Sequence, residues 1–305
     1  MGSNDRSYTA GRFAVMFDQG GTNAGYVKSV TGGNIKGEVA VHQLGPDNVQ
    51  KKHLATIVHE PFTVEVGMGM SEDFYKWIQA SFDKGHVTKS GEMVAANFDY
   101  EAQSARTFTD AFISEVTIPA LDGSSKEPAY MTVKFDPEKI RYEKRGGEKL
   151  SGTLAANQKK WLCSNWRFEL GSLPCSRVAK VDSFTWKQSV IKDEVGQFRE
   201  ATKHPAKVEV PNLKVTISMA DIEAWQTWHR NFVIDGLCTE GDELEGSITF
   251  LGPDLKEELA EIQLFNVGLI SLQQAKQEAN KEEVARFEAE LYVEKMLFNY
   301  MGGGK

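Results

Sequence analysis

The sequence predicts a mainly β protein built as two copies of one domain, with a single helix packed on the sheet of each copy. Three observations lead there. Residues 62–85 recur as residues 213–236, 24 positions without a gap. Apolar and polar residues alternate through most of the chain, the period of a strand with one face buried. Apolar residues at helical spacing occur in one stretch per copy.

The repeat comes first, because a missed repeat misreads the whole fold. Trp77 aligns with Trp228, Phe74 with Trp225, Met68 with Met219 and Gly85 with Gly236. On both sides the order continues: residues 91–100 face 241–250, 117–121 face 268–272, 131–142 face 287–298, and 12–20 face 167–175. Five segments in one order are not a chance match. The boundary falls in the Gly-, Ser- and Lys-rich stretch 146–160, the composition of a linker. The expected domains are 1–148 and 164–305, with 149–163 as linker.

In copy one a strand is expected over residues 13–18 and a second over 25–30. A polar excursion follows over 31–60, with some β character at 37–44. Residues 62–68 alternate cleanly and read as a strand. A helix is expected over 71–83. Ser71 is its N-cap, Glu72 and Asp73 suit the positive end of its dipole, and Gly85 is placed to end it. Its apolar face is Phe74, Trp77, Ile78 and Phe82. Strands then fill 92–101, 105–118 and 130–142. Copy two repeats the order. Asp221 is the expected N-cap, Trp225, Trp228 and Phe232 form the stripe, and Gly236 lies past the end. The tryptophans read as core.

Composition fits a folded soluble protein: 305 residues, 41% hydrophobic and 26% charged. No run of apolar residues is long enough for a membrane-spanning helix. The first residues lack a basic stretch followed by an apolar run, so no secretory leader is expected. The net charge of −8 argues against a surface that coats DNA or RNA. Both copies are mildly acidic, so neither is a basic arm. Cys163, Cys175 and Cys238 are odd in number and contain no CxxC. Buried or inert thiols in a reducing cytoplasm are expected, not a disulfide framework or a zinc site. The six histidines never occur as HxH or HxxxH.

No catalytic motif is visible. Gly67 and Gly69 lack the third glycine of a dinucleotide fingerprint and precede an acidic helix start. Gly20, Gly21, Thr22 and Asn23 lack the Lys-Ser/Thr of a phosphate loop and read as a strand connection. The acidic run at 240–245 has the wrong spacing for calcium and reads as a solvated face. Asp254, Glu257, Glu258 and Glu261 read as the exposed face of a short helix. The expectation is therefore a non-enzyme with no catalytic, cofactor-binding or metal residues and no cofactor.

These residues carry a resemblance. In copy one they are Phe74, Tyr75, Lys76 and Trp77 followed by Gly85, the strand ending Asn97, Phe98, Asp99, Tyr100, and residues 113–122 followed by 131–135. In copy two they are Trp225, Trp228, Gly236, residues 269–272 and the final strand 287–298. Each copy resembles the tail tube proteins of contractile phages and related injection systems. The resemblance implies a barrel or tight sandwich of antiparallel strands with one flanking helix. It implies a structural protein whose domains form rings of six around a channel, stacked into a tube that a contracting sheath drives into its target. Implied partners are further copies of the chain, the sheath protein, baseplate or hub proteins, and DNA or effector cargo that passes without tight binding. The implied place is a virion tail or injection particle assembled from protein made in the host cytoplasm, with no membrane anchor. The alternative is a hub or tube-initiator forming one ring.

The doubled chain departs from the family's single-domain pattern. Three chains could close a pseudo-six-fold ring, or six chains could give one copy each to two stacked rings. Exposed strand edges invite such pairing. Residues 131–135 and 138–142 are the expected channel lining. The excursions 31–60 and 182–211 are the expected ring-to-ring contacts.

Overall fold

The computed structural model describes residues 10–18, 22–43, 50–150, 161–194, 196, 200–275 and 284–302. The chain is mostly β. Strands of the first half are β1 (Arg12–Phe17), β2 (Thr22–Val27), β3 (Ser29–Gly32), β4 (Ile35–Gln43), β5 (Gln50–His59) and β6 (Phe62–Val66). Helix α1 (Glu72–Phe82) follows, then β7 (Lys89–Ala96), β8 (Ala102–Ile118), β9 (Leu121–Asp122), β10 (Met131–Asp136) and β11 (Lys139–Lys144). The second half holds β12 (Trp166–Leu170), β13 (Val178–Val181), β14 (Phe184–Asp193), β15 (Thr202–Glu209) and β16 (Leu213–Ser218). Helix α2 (Ile222–His229) precedes β17 (Leu244–Leu251), β18 (Glu258–Gln274) and β19 (Arg286–Tyr300).

The strands of the first half run β2-β1-β7-β8-β10-β6-β3 across their sheet, with β11 beside β10 on β8. Those of the second run β12-β17-β18-β19-β16-β13. All named ladders are antiparallel. Alternation is clean where one face is dry: β6 buries Phe62, Val64 and Val66, and β16 buries Leu213, Val215 and Ile217. One continuous apolar cluster runs through both halves.

Six ladders of the first half recur in the second. β1–β7, β7–β8, β8–β10/β11, β10–β6, β6–β3 and β4–β5 have counterparts in β12–β17, β17–β18, β18–β19, β19–β16, β16–β13 and β14–β15. The registers agree residue by residue. Val30 faces Val64 as Val181 faces Val215, 151 positions on. Both hairpins share that offset, including a bulge: Gly37 faces Ile57 and Val39 faces Leu54, as Gln188 faces Val208 and Val190 faces Pro205. On the long strands the offset is 156, again with a shared bulge. Glu115 faces Lys134 and Ile113 faces Phe135, as Ser271 faces Glu290 and Leu269 faces Leu291.

Helix α1 begins as expected. The Ser71 side chain accepts from Phe74 N–H, and Glu72 and Asp73 fill the first turn. It buries Phe74, Tyr75, Trp77, Ile78 and Phe82. Its end differs from expectation: Lys84 and His86 take the left-handed conformation, not Gly85, whose N–H closes on Ala80 O at 2.8 Å. Gly236 does adopt the left-handed turn after the second helix. That helix begins at Ile222 with Asp221 as its N-cap residue, as expected, but a separate turn precedes it. Ser218 caps a 3₁₀ turn at Met219–Asp221, while Asp221 makes no cap hydrogen bond.

Other corrections follow from turns and exposure. The 25–30 strand is two, β2 and β3, which join opposite ends of the sheet path. The 130–142 strand breaks at Pro137, which lies between β10 and β11. The excursions 31–60 and 182–211 are hairpins. Residues 254–261 form no helix: Asp254 caps a turn by accepting from Lys256 and Glu257 N–H, and Glu258 already opens β18. Cys163 is buried and Cys175 half-buried, but Cys238 is exposed. Gly20, Gly21 and residues 151–160 lie outside the described residues.

Candidate assembly interface

The first half is joined to the second along a strand edge. β8 is 17 residues long and outruns β7, whose pairing ends at Ala111. Past that point the start of β14 takes β7's place: Phe184 faces Ile118, Thr185 faces Thr117, Trp186 faces Val116 and Lys187 faces Glu115. β9 extends the junction by pairing with β13, Leu121 facing Val181. A sheet edge that would otherwise expose its peptide groups is thereby closed by the other half of the same chain.

The junction is dry on its inner face. The Trp186 ring stacks on Phe82 of α1, centroids 4.6 Å apart and planes 16° from parallel. Phe82 also meets Phe298 of β19. Tyr75, on the same face of α1, stacks on Tyr300 at 4.3 Å. Its hydroxyl donates to Gly67 O and accepts from Met70 N–H, and burial pushes its pKa well up. Stacked pairs of this kind add about 0.5–1.5 kcal/mol each beyond their buried area.

Further out a charged cluster ties the hairpins together. Ile140 N–H donates to His59 Nδ1, which leaves His59 Nε2 to donate to Glu200 at 3.2 Å. Lys139 pairs with the other Glu200 oxygen at 3.3 Å. Burial alone would raise the Glu200 pKa. The hydrogen bonds from His59 and Lys139 outweigh it and hold the carboxyl below its ordinary range. Lys203 is buried, donates to His59 O at 2.7 Å and lies 3.4 Å from Asp136. Burial lowers its pKa against the opposing pull of Asp136. Glu200 and Lys203 belong to the second half, their partners to the first.

The outer face of the sheet is polar. Thr132, Thr117 and Thr185 lie in one row across three strands, and Lys134, Glu115 and Lys187 in the next. Thr117 and Thr185 hydroxyls lie 2.9 Å apart, and Lys134 pairs with Glu115 at 2.8 Å. Of the expected lining residues, β10 shows Thr132 and Lys134 on this face and buries Met131, Val133 and Phe135. β11 buries Ile140 and exposes its remaining residues. No sequence signal marked the junction itself. Carrying the gap-free repeat back from residue 62 to residue 29 would have paired the hairpins and pointed to it.

Of the residues expected to be inert, Trp77 and Trp225 are fully buried. Their indole N–H groups donate to Val87 O and Pro174 O. In the acidic run, Asp242 caps Thr239 and Glu243 accepts from the Tyr292 hydroxyl at 2.6 Å. Among the described residues no group of three or more His, Cys, Asp or Glu side chains is placed to hold a metal ion. Among the described residues no helix is long and apolar enough to cross a membrane.

Comparison with known families finds a match in the first half. Residues 9–141 match the family model of the T4-like virus tail tube protein gp19. Over these residues the first half of the chain is similar to the tail tube family. Curated protein sequences return no match. Solved structures with a similar chain include three from contractile injection particles. One is the sheath-tube complex of the extracellular contractile injection system PVC in its extended state (15% identity, 44% of this chain and 89% of that chain, TM-score 0.35). Another is the tube-terminating cap of the anti-feeding prophage AFP (15% identity, 50% and 96%, TM-score 0.37). A third is the AFP baseplate (14% identity, 50% and 99%, TM-score 0.36).

Proposed function

We propose that the chain is a ring-forming structural component of a contractile phage tail or phage-like injection particle, two tail tube domains per chain, walling the channel through which DNA or an effector protein passes. The observation that carries this reading is the closure of β8 by β14. One domain seats its strand on the free edge of another, which is how a ring of β domains removes its edges. The shared ladders, with their bulges in register, support division of the chain into domains at 1–148 and 164–305. The side-by-side joint favours three chains in one pseudo-six-fold ring over one domain in each of two stacked rings.

The outer sheet face is the wall of the channel in this reading. Lys134, Glu115 and Lys187 alternate in sign across it, so the wall neither grips nor strongly repels a charged cargo. The two hairpins are the ring-to-ring contacts. β4–β5 leaves Val39, Val41 and Leu54 about half exposed or more, on a ribbon that two strands alone would hold only marginally. Sheath and baseplate proteins are the outer and terminal partners, and the work is mechanical, not catalytic. Negative-stain imaging of the purified protein tests the reading. Long tubes or single rings support it, tubes pointing to the tube wall and isolated rings to a hub or initiator. A population of isolated monomers would overturn it.

A further inference from the structure

The junction inside the chain has a second, open counterpart, and the geometry points to another copy of this chain as its occupant. This rests on the ring reading and adds the residues and the polarity of the joint. Offset 156 carries Glu115, Val116 and Thr117 of β8 onto Ser271, Leu272 and Gln273 of β18. Offset 151 carries Thr185, Trp186 and Lys187 of β14 onto Asn34, Ile35 and Lys36, at the start of β4. In the first half the edge of β8 is closed by β14. In the second half β17 pairs with β18 only as far as Val267, and among the described residues no strand lies beside Ser271, Leu272 and Gln273 on that side.

Exposure of matched positions says the same. Trp186 is 1% exposed, and its counterpart Ile35 is 37% exposed. Phe82, against which Trp186 stacks, is 3% exposed, whereas its counterpart Val233 is 42% exposed. Tyr75 on the covered face of α1 corresponds to Gln226, which is exposed on α2. Ile234, at 68%, and Leu237, at 55%, extend the bare apolar patch. Both members of an apolar pair that is buried within the chain are thus present, separated and uncovered, at its two ends. The joint is heterologous: the β18 and α2 end of one copy receives the β4 end of the next. Ile35 then lies against Val233 and faces Leu272, and Lys36 faces Ser271. The Ile35 N–H, now held by the exposed Tyr142 hydroxyl at 3.1 Å, becomes available for the strand.

Two point variants test the polarity. Ile35→Asp blocks one end and Val233→Asp the other, both at positions exposed in the single chain, so circular dichroism should be unchanged. Each alone should run as a monomer where wild type forms rings. Mixed in equal amounts, they should give a one-to-one dimer that grows no further, twice the 34.0 kDa mass of the chain, because each retains the end the other lacks. A second measurement bypasses any folding defect. Asn34→Cys with Gln273→Cys, in a Cys238→Ser background, should give a disulfide-linked ladder of dimers and trimers on oxidation. If wild type forms rings but the Asp variants assemble unchanged, the mixture stays monomeric, or the cysteines do not cross-link, the joint is wrong and the ring reading stands. If wild type is itself a monomer, both fall.

Discussion

Trp186 and Ile35 occupy one position in two settings, which separates stability from assembly. Trp186 lies inside the chain's own junction, stacked on Phe82, and is almost fully buried. Replacing it with Ala removes that stack and leaves a cavity among Phe82, Phe298 and Val116 that this packed seam cannot readily collapse. Large-to-small changes of this kind cost about 3–5 kcal/mol. At a urea slope of about 2–3 kcal/mol per molar, the unfolding midpoint should fall by about 1–2 M. Ile35→Ala, on the exposed hairpin, should cost no more than about 0.5 kcal/mol in the isolated chain. The assay is urea unfolding followed by circular dichroism at concentrations too low for rings. A loss below about 1 kcal/mol for Trp186→Ala, or equal losses for the two variants, would refute the seam as a source of stability.

The remaining expectations concern the hairpins, the charged cluster and the thiols. Replacing Val39, Val41 and Leu54 together with Ser should leave rings intact and stop tube growth in electron micrographs; tubes of normal length would remove the hairpin from the stacking contact. Glu200 has a folded pKa below its unfolded value of about 4.3, so its contribution is present above that pH and is lost as pH falls through the lower folded value. Wild type should therefore lose stability more steeply than Glu200→Gln as pH falls below the ordinary carboxylate range, and parallel curves would contradict the tie. Burial raises the Cys163 pKa and pushes the Cys175 thiol up to about 11, whereas Cys238 is exposed. A thiol reagent at pH 8 should label Cys238 quickly and the other two only after unfolding. Rapid labelling of all three would show that the core is open.

The fold was legible where a single face is buried. Phe74, Trp77, Ile78 and Phe82 announce α1, and Phe62, Val64 and Val66 announce β6, because one dry face imposes its period on the sequence. The β4–β5 hairpin is wet on both faces, so it lacks alternation and reads as a polar excursion. The acidic stretch after Pro253 mimics a helix face, but Asp254 caps a turn there and a strand follows. Lys84 and His86 take left-handed turns that sequence would assign to glycine.

The seam was the least legible feature. Nothing in Phe184 or Trp186 distinguishes a residue that packs on its own sheet from one that closes a neighbour's. Only the comparison of two copies reveals it. One sequence pattern occurs twice, and the same position is buried in one copy and bare in the other. The repeat thus carries more about assembly than any single motif does.

The most direct test is the mass of the assembled wild-type particle, measured by native mass spectrometry or light scattering on single rings. Three chains of 34.0 kDa per ring are expected, with the two halves of each chain side by side around one channel. A compact monomer at high concentration, or rings in which the halves lie one above the other, would contradict the account.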